Sequence, residues 1–232
     1  MALFTIADLH LSTTTNKPMD IFGHAWTNHA ERLKTAWNEL VKPEDTVVVP
    51  GDISWGMSLN EAVEDFKFIN SLPGRKLIGK GNHDYWWNTV SKLNRFKEEN
   101  GLDTIEFLFN NAFEADGKIV CGTRGWFPDN EYTADDEKIV LREAGRLKLS
   151  LEAGLKLRKN DEELVVFLHY PPAFASTSCS PLLEVLKEYG VKRLYYGHLH
   201  GANEALLIKS VGRTDLHLIS ADYLRFVPKF ID

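Results

Sequence analysis

Five short apolar runs, each followed at once by polar residues, constrain the fold of this chain more than any other feature. They lie at residues 3–7, 46–49, 76–79, 164–168 and 193–196. Each run is rich in β-branched or aromatic residues and has little polar interruption, which is typical of strands buried on both faces. The sequence therefore predicts sheets covered by helices, in the α/β class.

Four segments between these runs have the 3.6-residue spacing of amphipathic helices. The spacing predicts a helix over residues 26–40, with a buried face of Trp26, Ala30, Leu33, Trp37 and Leu40. A second helix begins at the SLNE sequence of residues 58–61, which has capping-box spacing. A long helix over residues 134–159 has a buried stripe of Val140, Ala144, Leu147, Leu151 and Leu155. Ser180 and Pro181 predict the N-cap and first turn of another helix.

Two regions depart from this alternation of strands and helices. Asp116 and Gly117 lie between two strand-like runs and predict a hairpin. Residues 204–227 have the pattern of successive antiparallel strands. We therefore expect mixed sheets with helices outside, and the 232-residue length favours a single domain over residues 1–232.

Polar residues follow each of the five runs directly. The residues concerned are Asp8 and His10, Asp52, then Asn82, His83 and Asp84, then His169, and finally His198 and His200. In sheets with helical crossovers, the carboxyl ends of the strands form one edge, where ligands bind. Glycines beside several of these residues are consistent with close backbone approach at a crowded site. Five separate segments are thus predicted to bring polar side chains to one site.

Seven of these side chains are candidate metal ligands: Asp8, His10, Asp52, Asn82, His169, His198 and His200. This number is too large for one tetrahedral ion and suits two metals of higher coordination number. Imidazoles mixed with carboxylates and a carboxamide favour manganese, iron, zinc or cobalt over calcium or magnesium. Because two divalent ions close together repel strongly, such a pair needs a shared anionic ligand.

The ordered motifs resemble those of a known superfamily. The sequences DLH, GD, GNHD, an isolated histidine and GHLH occur in this order between residues 8 and 200. Together they are similar to the motif set of the calcineurin-like metallophosphoesterases. The resemblance implies a four-layer αββα sandwich, in which two mixed sheets lie between layers of helices.

The resemblance also implies a ligand set for each of two metals. The first metal would be bound by Asp8, His10 and His200. The second would be bound by Asn82, His169 and His198. Asp52 would bridge the two ions.

The implied reaction is hydrolysis of a phosphate ester by a hydroxide that bridges two divalent metal ions. His83 would lie over the phosphate and assist the leaving group, and Asp84 would steady His83. The substrate is expected to be a small phosphorylated compound, either a monoester or a diester. Arg124 could reach a second phosphate of the substrate; the alternative role is that of a surface salt-bridge residue.

Net charge and composition limit the kinds of binding partner and the cellular setting that the sequence predicts. A net charge of −6 and a pI of about 5.8 do not favour binding of long nucleic acids. The sequence has no apolar stretch of membrane-spanning length and no leader pattern, so we expect no membrane association. Two cysteines without CxxC spacing indicate a reducing, cytoplasmic setting.

Two other functions are consistent with parts of the sequence. Some proteins of this fold are protein-binding scaffolds with altered site residues, whereas this chain has every expected ligand. Thiol chemistry through Cys179 is the other alternative, but no phosphate-binding arginine or activating base lies beside that cysteine in the sequence. Metal-dependent turnover of phosphate esters would separate the expected hydrolase from both alternatives.

Overall fold

Two mixed β-sheets pack face to face in this computed structural model, which describes residues 1–127 and 132–232. The first sheet has the order β13-β1-β2-β3-β4, with strands β1 Leu3–Thr5, β2 Thr46–Pro50, β3 Arg75–Gly79, β4 Ile105–Phe107 and β13 Lys229–Ile231. The second has the order β11-β12-β10-β7-β6-β5, with strands β5 Ala112–Ala115, β6 Lys118–Thr123, β7 Glu163–Leu168, β10 Arg193–Tyr196, β11 Ser210–Val211 and β12 Thr214–Leu218. A small separate hairpin joins β8 Ala173–Phe174 to β9 Thr177–Ser178.

The interior strands of both sheets are parallel, and antiparallel strands lie at their edges. In the first sheet, β1 to β4 are parallel and β13 pairs antiparallel with β1. In the second, β6, β7, β10 and β12 are parallel, while β5 and β11 are antiparallel edges. The interior strands are therefore covered on both faces, which explains their unbroken apolar sequence.

Helices cover the outer face of each sheet. They are α1 His29–Leu40, α2 Leu59–Ser71 and α3 Val90–Glu99 on the first sheet, and α4 Ala134–Leu157 and α5 Ser180–Glu188 on the second. Alternate residues of each interior strand face either these helices or the other sheet. In β2, for example, Val47 and Val49 pack toward the helices, and Val48 packs between the sheets. The four layers confirm the αββα sandwich expected from the resemblance.

The helices largely follow their predicted boundaries, with differences at their ends. Trp26 lies in a short 3₁₀ turn, and α1 begins only at His29, after Asn28 adopts a left-handed φ of 52°. Leu40 and Leu155 were expected to be buried but are exposed, because the neighbouring residues Val41 and Gly154 occupy the buried positions instead. These two assignments were wrong.

The caps of α2 and α5 also differ in detail from expectation. The Ser58 side chain caps α2 by accepting the Glu61 amide, but the Glu61 carboxylate accepts the amide of Met57 rather than that of Ser58. Cys179, not Ser180, occupies the N-cap position of α5, and Pro181 lies in the first turn. The predicted helices therefore form with small shifts in their terminal hydrogen bonds.

The predicted hairpin is confirmed, whereas the C-terminal prediction was partly wrong. Asp116 and Gly117 form the turn between β5 and β6, both with positive φ. Strands β11 and β12 form an antiparallel hairpin, but β12 pairs parallel to β10. The alternating sequence of β12 indicates one buried and one more exposed face, and it does not distinguish parallel from antiparallel pairing.

Candidate metal centre

The seven predicted ligands lie at the carboxyl ends of five parallel strands. Three of these strands belong to the first sheet and two to the second. Asp8 and His10 follow β1, Asp52 follows β2, and Asn82 follows β3. His169 follows β7, and His198 and His200 follow β10. The structure thus brings together side chains that are as much as 192 positions apart in the sequence.

Asp8, His10 and His200 form the first ligand group. One ligand atom from each lies within 4.8 Å of those of the other two. The Nε2 atoms of His10 and His200 are 3.1 Å apart, and His200 Nε2 is 4.0 Å from Asp8 Oδ1. This spacing suits three donors that face one cation.

Asn82, His169 and His198 form the second ligand group. Asn82 Oδ1 lies 2.6 Å from His169 Nε2 and 3.0 Å from His198 Nδ1. Asp52 lies between the two groups, because its Oδ2 is 3.6 Å from both His10 Nε2 and His169 Nε2. Asp8, Asp52 and His169 also lie close together, with Asp8 Oδ1 3.7 Å from His169 Nδ1. The structure thus brings the seven side chains together, and their division between two metals stays a prediction.

The polar atoms of the centre fit divalent cations. The nitrogens of His10 and His169 that face the other ligands are both Nε2. Burial lowers the pKa of both imidazoles and lowers that of His198 to about 4, so their rings are neutral and offer lone pairs. Neutral imidazoles beside carboxylates and an amide oxygen are the donor set of manganese, iron, zinc or cobalt sites.

The carboxylates of the centre are costly to bury without compensating positive charge. Burial raises the pKa of Asp8 to about 6, and burial together with repulsion from Asp84 and Asp8 raises the pKa of Asp52 well above its ordinary value. A bound cation favours the ionised carboxylate. Metal binding would therefore offset the desolvation of Asp8 and Asp52.

Asp222 holds His200 in place and was not identified from the sequence. Its Oδ1 lies 3.0 Å from His200 Nδ1, and its Oδ2 accepts a 2.8 Å hydrogen bond from the Gly201 amide. Burial alone would lower the pKa of His200, but the hydrogen bond to Asp222 and the charge of Asp8 outweigh it and raise the pKa. The contact between Asp222 Oδ1 and His200 Nδ1 orients the ring so that Nε2 faces Asp8 and His10.

A sequence signal for Asp222 was present. It follows β12 after three intervening residues, as the other site residues follow their strands. Because residues 204–227 were interpreted as antiparallel strands, the end of β12 was not recognised as part of the same edge.

Asp84 joins the two loops that carry Asp52 and Asn82. Its carboxylate accepts hydrogen bonds from the amides of Asp52, Ile53 and Gly81 and from Trp86 Nε1, at 2.7 to 3.0 Å. Burial raises its pKa to about 6, although the backbone hydrogen bonds counteract the rise. Whether Asp84 also steadies His83 stays a prediction.

His83 lies beside the centre, partly exposed. Its ring centroid is 4.5 Å from that of Trp55 and 5.6 Å from that of His10, and its amide donates to Asp52 Oδ1 at 2.8 Å. Tyr85 Oη is 3.5 Å from His83 Nδ1. The imidazole is thus held beside the ligands by backbone and aromatic contacts, consistent with a role toward substrate.

The backbone around the ligands is unusual. Asp8, His10, Asp52 and His198 all have positive φ, between 46° and 69°. Non-glycine residues seldom adopt this conformation, and it occurs often at functional sites. A Cβ at Gly81 would collide with the Asp52 carboxylate and backbone, and a Cβ at Gly197 with the Asp8 carboxylate. The ligand loops are therefore packed as closely as glycine allows.

Arg124 lies at the flank of the centre rather than among the ligands. Its carbonyl oxygen accepts the amides of His169 and Tyr170 at 3.0 and 2.9 Å. Its side chain is 17% exposed and approaches buried Glu143 at 3.9 Å. Arg124 therefore forms the ion pair of the salt-bridge alternative, but largely buried instead of at the surface, and its role toward substrate stays a prediction.

Comparison with known proteins identifies the family of this chain. The model of the calcineurin-like phosphoesterase family matches residues 1–202, and the chain belongs to this family. A 78-residue segment is 32% identical to the gene 66 protein of Mycobacterium phage L5, and it covers 34% of this chain and 37% of that protein.

Solved structures share the fold at low sequence identity. A protein of unknown function from Aquifex aeolicus has a TM-score of 0.57 and 18% identity, with 99% of this chain and 95% of that chain covered. Phosphopantetheinyl hydrolase from Mycobacterium tuberculosis has a TM-score of 0.55 and 13% identity over 99% of this chain and 95% of that one. The fold is therefore that of the metallophosphoesterases. Among the described residues, none of the helices is long and apolar enough to cross a membrane.

Proposed function

We propose that this protein hydrolyses small phosphate esters with two divalent metal ions. The observation that carries the proposal is the position of Asp52, whose Oδ2 is equidistant from a histidine of each ligand group. Family membership supports phosphoester hydrolysis as the class of reaction. A single-ion site would not need a carboxylate between two complete sets of donors.

Six side chains would bind the two ions, three at each. Asp8, His10 and His200 would hold one ion, and Asn82, His169 and His198 the other. When bound, the ions supply Lewis acidity, which activates water near neutral pH and neutralises the phosphoryl charge. Manganese, iron, zinc and cobalt all suit this donor set.

His83 donates a proton to the departing oxygen of the ester. Its ring lies beside His10 and Trp55 and is partly exposed, so a substrate can reach it. The hydrogen bond from its amide to Asp52 ties its position to the shared carboxylate. Asp84 positions this loop through its bonds to the amides of Gly81 and Asp52.

A pair of chromogenic substrates tests the proposal. Protein loaded with manganese is assayed with p-nitrophenyl phosphate and with bis(p-nitrophenyl) phosphate, before and after chelation. We expect hydrolysis of at least one, loss on chelation and recovery on addition of metal. The ratio of the two rates assigns a monoester or diester preference. If metal-loaded protein turns over neither compound, the chain is a scaffold of this fold rather than a hydrolase.

The same assay tests the thiol alternative. Cys179 is buried, and burial raises the pKa of its thiol, which disfavours the nucleophilic thiolate. Alkylation of both cysteines should therefore leave turnover intact. Activity that survives chelation but is lost on alkylation would contradict the metal-dependent mechanism.

A further inference from the structure

A cluster of three cationic side chains flanks the metal centre on one side. Lys80 follows β3 and Arg124 follows β6, so both lie at the edge that carries the ligands. Arg146 lies on α4, with its guanidinium 5.3 Å from the ring centre of Phe109, just after β4. Three elements of the fold thus converge on one flank. We call Lys80, Arg124 and Arg146 the basic cluster.

One buried carboxylate accompanies the three cations. Glu143 is fully buried; its Oε1 is 2.6 Å from the Arg146 guanidinium and 3.9 Å from that of Arg124. Its Oε2 accepts a 2.7 Å hydrogen bond from the Thr123 hydroxyl. The close contacts of Glu143 are thus to Arg146 and Thr123, and the more distant Arg124 is only weakly compensated.

Two members of the basic cluster lack a close acceptor. Nε of Arg124 is buried and has no hydrogen-bond partner in the described part of the chain. Within residues 1–127 and 132–232, the ammonium of Lys80 has neither a hydrogen bond nor an ion pair. Arg124 and Arg146 lie close enough to Lys80 to repel its ammonium, and Asp84 and Glu143 lie close enough to attract it. Buried donors without acceptors are costly unless a ligand supplies the acceptor.

The basic cluster lies close to the second ligand group. The Tyr170 ring centre is 4.3 Å from that of His198 and 6.0 Å from the Arg124 guanidinium. One aromatic ring therefore separates this arginine from a metal ligand. A small molecule with its phosphate on the metals could place a second group at the cluster.

We propose that Lys80, Arg124 and Arg146 form a second anion-binding subsite, so that the substrate carries another phosphate or carboxylate beyond the scissile phosphate. The inference rests on the proposed function, since it describes the substrate of the same site. Arginine binds such oxyanions through paired hydrogen bonds, and lysine adds a point charge. The partly buried position strengthens these contacts relative to open solvent.

Non-hydrolysable phosphonates test the subsite without turnover. Manganese-loaded protein is titrated in a calorimeter with linear bisphosphonates of increasing chain length, and with alkyl monophosphonates of matched length. We expect one bisphosphonate length to bind at least about tenfold more tightly than its monophosphonate. A parallel series with a terminal carboxylate distinguishes the two possible anionic groups. Equal affinities at every length would overturn the subsite.

Variants assign the effect to the basic cluster. Lys80→Gln removes a cation that has no ion pair among the described residues, so the fold should persist, and the advantage of the second anion should fall severalfold. Arg124→Gln should have the same effect. Lys156→Gln removes an exposed lysine near the far end of α4 and should leave the advantage unchanged. An advantage that survives both Lys80→Gln and Arg124→Gln would contradict the assignment.

The outcome separates this inference from the proposed function. A chain-length optimum in a protein that hydrolyses neither p-nitrophenyl phosphate nor bis(p-nitrophenyl) phosphate would retain the subsite and reject the hydrolase. Hydrolysis without any preference for a second anion would retain the hydrolase and reject the subsite.

Discussion

The two ligand groups differ in how the protein holds them. In the first group, His200 is about one third exposed and is oriented by a separate carboxylate, Asp222. In the second group, His169 is fully buried, and its backbone amide donates to Arg124 beside it in the second sheet. His200 therefore depends on a side-chain hydrogen bond near solvent, whereas His169 is held in the packed interior. We expect the ion of the first group to exchange more readily.

Replacing the carboxylate shared by the two groups should have the largest effect. Asp52→Asn keeps the shape of the side chain but removes the negative charge between the ions, so both should bind poorly. We expect turnover to fall by about 10³-fold or more, equivalent to about 4 kcal/mol. Steady-state kinetics and metal analysis measure the two effects. Asp103→Asn, on an exposed loop, is the control. Full metal content in Asp52→Asn would contradict the bridging position.

Replacing His83 should affect chemistry and leave both ligand groups intact. His83→Gln removes the proton donor, and we expect kcat to fall by about 10²-fold, in the usual range for acid catalysis. Metal content should stay at the wild-type value. His24→Gln changes an exposed histidine and should alter neither quantity. A loss of metal in His83→Gln would make His83 a structural support of the ligands.

Adding a methyl group at Gly81 should disturb the loop beside Asp52 and Asn82. Because the new Cβ would overlap the Asp52 carboxylate, Gly81→Ala should lower the free energy of unfolding by about 1 to 3 kcal/mol. Gly145→Ala, in α4 with open space around its Cβ position, should be neutral or stabilising by up to about 1 kcal/mol. Chemical denaturation measures both. Equal free energies of unfolding for the two variants would mean that the contact between Gly81 and Asp52 does not exclude a side chain at position 81.

Removing the charge of Asp222 should affect the first ligand group alone. Asp222→Asn weakens the orientation of His200, and we expect one of two metal-binding steps to weaken by about tenfold. Titration of metal-free protein with manganese resolves the two steps. Equal weakening of both binding steps would contradict the prediction, because it would mean that Asp222 affects the two ligand groups together.

The sequence predicted the positions of the ligands better than their backbone. Asp8, Asp52 and His169 could be placed because each directly follows an apolar strand, and parallel strands end at one edge. The left-handed conformations of Asp8 and Asp52 could not, since they arise from contacts between loops that are distant in sequence. A pattern of residue types carries no information on such contacts.

The same limit explains the errors in the fold. The five buried strands and four of the five helices were predicted because hydrophobic periodicity reflects burial directly, whereas α3, β4 and β13 were not identified. The parallel pairing of β12 with β10 was missed because alternation indicates an exposed face but not a neighbour. Asp222 was missed with it, although its position after β12 follows the rule that identified the other site residues.

The number and position of bound metal ions test the central claim most directly. Anomalous diffraction from crystals grown with manganese would locate each ion and its ligands. The account predicts two ions per chain, one at each ligand group, with Asp52 in contact with both. A single ion at full occupancy, or two ions that Asp52 does not join, would contradict it.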